Sequence, residues 1–202
     1  MLDNQIILIL TIIGAYLFGS ISSAIITCKL MRLPDPRTQG SNNPGATNVL
    51  RIGGKKAAFI TLLGDTLKGV IPVLFAKWLD FSAVGIALVC FAAFLGHLFP
   101  IFFRFVGGKG VATLLGCLLA LSWPVGLSWV GTWLIVAIIT RYSSLSSLTA
   151  STLAPLYAWY FTDKLAYVVI LVLIDIILMI RHRGNIVKLI KGQESRIGKK
   201  SG

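Results

Sequence analysis

The chain has 202 residues, of which 56% are hydrophobic and 13% charged; a charged share about half that of ordinary soluble domains excludes a water-soluble globular fold and marks an integral membrane protein. Nineteen Lys and Arg against seven Asp and Glu give a formal net charge of +12. The cations stand at the ends of apolar runs, so they report membrane topology and an affinity for anionic lipid or substrate, and no nucleic-acid partner is expected.

Seven segments read as spans: residues 4–29, 57–78, 82–104, 111–123, 124–140, 147–161 and 164–181. The expected fold is an all-α integral membrane bundle of about seven transmembrane helices, forming a single domain over 1–202. Asp3 is the only charge ahead of the first run, which therefore lacks the Lys or Arg of a signal peptide. Ala15, Gly19 and Ser23 recur at every fourth position of that run, a small-residue stripe that lets helices approach closely in lipid. Cys28, Cys90 and Cys117 all lie in apolar segments with no metal or redox spacing and read as buried free thiols.

Residues 33–56, LPDPRTQGSNNPGATNVLRIGGKK, are too rich in Pro, Gly and Asn for a regular element. The segment offers Arg37, Ser41, Asn42, Asn43, Thr47, Asn48 and Arg51. Arginine holds a phosphate with a planar fork, and Ser and Asn supply short neutral hydrogen bonds. With no acidic residue after Asp35, a binding loop is favoured over a plain linker. The second span contains Gly64-Asp65-Thr66-Leu67-Lys68-Gly69. A carboxylate and an ammonium three residues apart face each other on a helix, either as a structural ion pair or as part of an ion path.

The stretch GHLFPIFFRFVGGKGVAT, residues 96–113, joins the third and fourth spans. Gly107, Gly108 and Gly110 around Lys109, just before a helix start near Val111, suit a nest of backbone N–H groups for an anion. It is not a P-loop, which would need Gly at Phe103 and Ser or Thr at Gly110. Residues 111–140 as one helix would run about 45 Å, too long for a hydrocarbon core of about 30 Å, so a break is expected at Pro124. Then come Arg141 and the serine cluster Ser143, Ser144, Ser146 and Ser147 at a helix start, where hydroxyls either cap the helix or ligate an anion. After Arg181 the tail reads RHRGNIVKLIKGQESRIGKK, with apolar residues between lysines that suggest a short helix on the membrane surface.

With the N-terminus outside, the inner segments carry 16 of the 19 basic residues: Lys29, Arg32, Arg37, Arg51, Lys55, Lys56, Arg104, Lys109, Arg141, Arg181, Arg183, Lys188, Lys191, Arg196, Lys199 and Lys200. The outer turns keep Lys77 and Lys164 together with Asp3, Asp80 and Asp163. This asymmetry predicts an outer N-terminus and a cytoplasmic C-terminus. A site built from the inner segments would take a small cytoplasmic anion, with its open side against the lipid bilayer. His97 sits on an apolar helix and reads as structural, whereas His182, between Arg181 and Arg183, is the better functional candidate. Neither has Cys, Asp or Glu at ligand spacing, so no metal is indicated.

Taken together, GSNNPGATNVLR, GHLFPIFFRFVGGKGVAT and RHRGNIVKLIKGQE resemble three motifs, in the same order, of the bacterial membrane glycerol-3-phosphate acyltransferases that use acyl-phosphate as donor, and the resemblance covers essentially the whole chain. It implies a helical bundle of seven spans in the bacterial cytoplasmic (inner) membrane. The implied reaction moves a fatty acyl group from acyl-phosphate to the 1-hydroxyl of glycerol 3-phosphate, giving lysophosphatidic acid and phosphate, with no cofactor. By the same resemblance Arg37 and Ser41 match the functional residues of the first motif. Gly107, Gly108 and Lys109 match the phosphate-binding second motif; His182 and Asn185 are the polar pair of the third, with Glu194 its structural acid. The catalytic candidates are thus Ser41, Lys109, His182 and Asn185. The substrate-binding candidates are Arg37, Asn43, Asn48, Arg51, Gly107, Gly108, Ser143 and Ser144, the two serines being assigned on their chemistry. The HxxxxD pair of other acyltransferases is missing, since five residues after His97 and His182 stand Phe102 and Val187. The alternative is a small-anion transporter, which should carry inverted repeats or broken helices meeting at mid-membrane. The sequence leaves the oligomeric state open, a monomer included.

Overall fold

The computed structural model describes residues 2–198, with side chains from Asn4 onward. Lys199 and Lys200, counted above with the inner cations, and the side chain of Asp3 lie outside the described residues. Among these, the elements in chain order are α1 (Leu2–Gly19), α2 (Ser23–Leu30), α3 (Ala46–Trp78), α4 (Ala83–Leu98), a 3₁₀ turn (Ile101–Phe103), α5 (Val111–Leu121), α6 (Trp123–Thr140), α7 (Ser143–Thr162), α8 (Leu165–Arg181) and α9 (Arg183–Ile190).

The helix ends follow from local chemistry. The first expected span is broken at residues 20–22, where Ser22 caps α2 by accepting from the Ile25 N–H, and α1 and α2 meet at 40°. Pro124 falls in the first turn of α6, where its missing N–H costs nothing, so the break expected there is present. The segment 33–56, expected to be irregular throughout, is helical from Ala46. Val49 and Asn48 are buried and anchor this extra turn, and Gly54 at φ 76° breaks the helix before the span proper. That backbone angle is one glycine adopts without strain. In α7, Ser146 and Ser147 bond back to the carbonyls of Tyr142 and Ser143 instead of capping the helix.

Among the described residues, three helical stretches are long and apolar enough to cross a membrane alone, Ala46–Trp78, Ala83–Phe103 and Trp123–Thr140, and the count is up to five if each bent pair, α1–α2 and α8–α9, forms one span. The 11 residues of α5 reach only about 16 Å. α7 has 20 residues, but its serines dilute its apolar character.

Packing relies on small residues. A Cβ on Gly19 would stand 2.3 Å from the Ala93 carbonyl oxygen, and one on Gly96 2.3 Å from that of Tyr16, so α1 and α4 touch backbone to backbone. The same reciprocity joins α3 to α5: a Cβ on Gly69 would stand 2.2 Å from the Thr113 carbonyl oxygen, and one on Gly116 2.0 Å from that of Thr66. Any side chain would wedge these helices apart, and in lipid such close contact replaces the hydrophobic effect as the source of association. Phe94, Leu98, Leu114, Leu118, Leu171, Ile174 and Leu178 fill the interior, while Ile138 and Ile139 are about three-quarters exposed and face outward. The polar connections after α2, after the 3₁₀ turn, after α6 and after α8 come together at one end.

Candidate active site

Lys109 is the centre of that end. Its ammonium donates to Asn185 Oδ1 on α9, and the Asn185 amide donates to Glu194 Oε1 at 2.9 Å. The Ser144 hydroxyl, from the first turn of α7, donates to the same carboxylate oxygen at 3.0 Å. One chain of hydrogen bonds thus links the glycine loop, α9, the tail and α7. The other Glu194 oxygen is buried without a partner.

Burial lowers the Lys109 pKa to about 8; Glu194 opposes the shift, and Lys188, Arg181 and Arg51 add to it. Four cations around one carboxylate leave the region positive. α5 begins at Val111, capped only by Gly110 at φ 86° with no side chain, so the positive end of its dipole lies next to Lys109.

The glycines act differently from the expected nest. Gly107 and Gly108 do not take positive φ; in this loop Arg104, Phe105 and Gly110 do. Their need is space: a Cβ on Gly107 would be 2.2 Å from the His97 carbonyl oxygen, and one on Gly108 2.3 Å from His97 Nε2. The Gly108 N–H donates to the His97 carbonyl at 3.3 Å. Arg181, counted in the sequence only as a topological charge, donates from Nη2 to the Gly107 carbonyl at 3.0 Å and the Gly108 carbonyl at 2.9 Å. Its guanidinium also lies 5.7 Å from the centre of the Phe99 ring. Only its place beside His182 and Arg183 at a helix end hinted at this in the sequence.

His182 is buried at the corner between α8 and α9, which meet at 62°. Nδ1 lies 2.9 Å from the Leu178 carbonyl and donates to it, which leaves Nε2 unprotonated. Burial and the Lys109 charge lower its pKa to about 4, so the ring is neutral near pH 7.

In the first inner segment Arg37 forks onto Asp35, Nη2 donating to Oδ2 at 2.6 Å and Nε to Oδ1 at 3.0 Å. The hydrogen-bonded guanidinium holds the Asp35 carboxyl below its usual range. Asn48, expected among the phosphate ligands, is instead committed to the loop. Both its N–H groups donate, to the Pro36 and Gln39 carbonyls at 2.9 Å each, and its oxygen accepts the Ser41 N–H at 2.9 Å. It is buried and has no donor left for a ligand. The side chains of Ser41 and Asn43 are exposed and half-buried, in the loop that Asn48 shapes. Thr47 and Arg51, one turn apart on the start of α3, reach other segments: Thr47 Oγ1 is 3.4 Å from Ser143 Oγ, and Arg51 donates to Ser195 Oγ at 2.6 Å. The tail is pinned over α7, with the Ile197 N–H on the Arg141 carbonyl at 2.7 Å and Arg196 5.5 Å from the centre of the Tyr142 ring. Lys109, Asn185, Ser144 and Glu194 are therefore joined directly; Ser143 and Arg51 touch the neighbouring start of α3 and the tail; among the described residues Arg37 hydrogen-bonds to Asp35 and Ser41 to Asn48.

A membrane bundle that gathers cations, a helix N-terminus and a neutral histidine at one end belongs with membrane proteins that handle small anions. The profile of the family described as glycerol-3-phosphate acyltransferase matches residues 9–192. The chain is 57% identical over 190 residues to a glycerol-3-phosphate acyltransferase of Thioalkalivibrio sulfidiphilus, covering 94% of each chain. It is 55% identical over 186 residues to that of Methylococcus capsulatus, covering 92% of this chain and 94% of the other. Its fold is similar to the crystal structure of PlsY, an integral membrane glycerol 3-phosphate acyltransferase, in the glycerol 3-phosphate form: TM-score 0.90 and 39% identity, covering 95% of this chain and 96% of that one. The lysophosphatidic acid form gives a TM-score of 0.88 at 38% identity, covering 95% of each chain. The chain belongs to the glycerol-3-phosphate acyltransferase family and is an integral membrane acyltransferase of lipid biosynthesis.

Proposed function

We propose that this protein transfers a fatty acyl group from acyl-phosphate to the 1-hydroxyl of glycerol 3-phosphate, releasing lysophosphatidic acid and inorganic phosphate, at the cytoplasmic face of a bacterial inner membrane. The observation that carries this reading is the Lys109–Asn185–Glu194–Ser144 chain, which brings the second and third motif segments onto one cationic site beside a helix N-terminus. The charge asymmetry supports an N-out, C-in orientation with that end in the cytoplasm, where a soluble phosphate ester would meet an amphiphilic donor held in the leaflet.

Lys109, the first N–H groups of α5, Arg37 and Arg51 are the groups that would hold the two phosphates. Ser41, Asn43, Ser143 and Asn185 would complete the hydrogen bonding. Ser144 and Asn48 support from behind, one through Glu194 and the other through the loop. The acyl-phosphate is already activated, so an acyl-enzyme has little to add. Among the described residues no serine or cysteine has a base and an orienting carboxylate beside it, and all three cysteines are buried.

Transfer is therefore direct: the 1-hydroxyl oxygen attacks the acyl carbon, positioned donors take up the oxyanion, and the C–O bond to phosphate breaks. The unprotonated Nε2 of His182 orients the hydroxyl by accepting its hydrogen. With a pKa of about 4 this ring is a poor final base, so the proton passes to the departing phosphate. Purified protein incubated with acyl-phosphate and glycerol 3-phosphate should form lysophosphatidic acid and phosphate in equal amounts. Absence of product with a folded protein overturns the reading, and product only from another acyl donor overturns its donor half.

A further inference from the structure

Behind the glycine loop lies a second set of charged groups that the reaction does not use. Asp65 and Lys68 on α3 and His97 on α4 are all buried, with 1%, 3% and 6% of their surface exposed. Lys68 Nζ stands 2.9 Å from Asp65 Oδ1, 2.8 Å from the Ile21 carbonyl oxygen and 3.1 Å from His97 Nδ1. At the carboxylate this is a pairing of charges whose angle falls outside a hydrogen bond, since Asp65 Oδ1 has no hydrogen-bond partner. The ammonium N–H groups go instead to the Ile21 carbonyl and to the ring.

An ammonium donating to Nδ1 sets the tautomer: the His97 proton is on Nε2, at the far edge of the ring. That edge meets the site. A Cβ on Gly108 would stand 2.3 Å from Nε2 and 3.1 Å from the Pro44 carbonyl oxygen, so the ring edge lies against the glycine loop where that loop adjoins the first inner segment. The His97 carbonyl also accepts the Gly108 N–H, and the Thr113 hydroxyl in the first turn of α5 donates to the Asp65 carbonyl at 3.0 Å. Both ends of the loop carrying Lys109 are therefore tied to this network, one through α4 and the other through α3.

We infer that Asp65, Lys68 and His97 form a positioning network that sets the place of the glycine loop, and with it the affinity for the acceptor phosphate, from inside the membrane bundle. Charges this deep are costly and persist where something depends on their geometry. A stabilising role alone would be met as well by apolar residues, because replacing a buried ion pair with a neutral pair of similar volume is often harmless to the fold. The inference rests on reading residues 107–110 as the phosphate site.

The test uses the double variant Asp65→Asn with Lys68→Met, which removes both charges together and leaves no unpaired one. The expected result is a rise of roughly three- to tenfold in KM for glycerol 3-phosphate, the equivalent of about one hydrogen bond, with kcat within about twofold. Hydrogen exchange should quicken in peptides covering 105–112 and stay unchanged in those covering α6. His97→Asn keeps an acceptor for Lys68 but nothing against Gly108, and should match the double variant. His97→Gln, which extends to where Nε2 stood, should recover part of the affinity. A folded double variant with unchanged KM and unchanged exchange overturns the network, as does a fall in kcat with KM fixed. The exchange arm needs no turnover: a wild-type protein that makes no product sinks the proposed reaction, while loop exchange decides the network.

Discussion

Replacing Lys109 by Ala removes the ammonium that ties the glycine loop to Asn185 and, in the proposed reaction, the main cation on a phosphate. A hydrogen bond to a charged group is worth about 1.5–3 kcal/mol, which at about 1.4 kcal/mol per factor of ten gives a loss of roughly ten- to a few hundredfold in kcat/KM. Protonation gives a second, independent handle. Because burial brings the pKa of Lys109 to about 8, the residue is charged below that pH and neutral above it. The kcat/KM of the wild-type enzyme for glycerol 3-phosphate should therefore fall about tenfold per unit above pH 8. A bound phosphate stabilises the ammonium, so the fall in kcat belongs at higher pH than the fall in kcat/KM. Lys109→Arg keeps a charge that does not titrate but changes a compact donor for a planar fork. It should be slower than wild type at pH 7 and flat from pH 7 to 9.5. The assay is initial-rate formation of lysophosphatidic acid over that range, with thermal unfolding in detergent as a check on folding. An Arg variant that retains the wild-type alkaline fall, or a folded Ala variant within threefold of wild type, refutes the role given to Lys109.

Asn48→Asp should loosen the first inner loop, because a carboxylate cannot donate to the Pro36 and Gln39 carbonyls; losing two bonds of about 1 kcal/mol each should make residues 36–42 cleave at least about tenfold faster in limited proteolysis, whereas an unchanged rate would mean that Asn48 does not hold the loop. Single cysteines at positions 80 and 163 should react with an impermeant thiol reagent from outside, and ones at 41 and 195 only after the inner side is opened; outside labelling at 41 contradicts the N-out topology. Labelled acyl-phosphate without acceptor should leave no hydroxylamine-labile label on the protein, and a stoichiometric acyl-protein would refute direct transfer. His182→Gln should keep measurable turnover, since the ring is read as an orienting acceptor; a folded variant that binds glycerol 3-phosphate but is inert would make the histidine the base.

The parts of this molecule that can be read from its sequence are those where composition and geometry are the same thing. Lipid excludes charge, so the position of each Lys and Arg along the chain except Lys68 marks a segment end, and the four polar connections stand out at once. Pro124 has one tolerable place in a helix, and the chain uses it. The harder parts depend on which partner a side chain finds in space. Asn48 looks like a ligand because Asn has donors to give, yet both go to carbonyls 9 and 12 residues back. Gly107 and Gly108 suggest positive φ, but their reason is the ring and carbonyl of His97, set against them by a different helix. Arg181 is indistinguishable by type from its neighbour Arg183, and only the turn of α8 aims it at the glycine loop. Helix starts are similarly masked: Ala46–Arg51 sits among loop-forming residues, and burial of Val49 and Asn48 draws it into α3.

The bend at His182 has a bearing on how the protein is made. His182, Asn185 and Glu194 all follow α8 in the chain, so every helix from α1 to α8 is synthesised before the partners of Lys109 exist. Until these residues emerge from the ribosome, Lys109 faces a half-built pocket. The last turns of polypeptide then fold back across α7, where the Ile197 N–H reaches the Arg141 carbonyl. The nascent bundle thus lacks the partners of Lys109 until residues 182–194 have emerged. A chain cut after Arg181 would carry α1 to α8 without Asn185 and Glu194, the groups joined to Lys109.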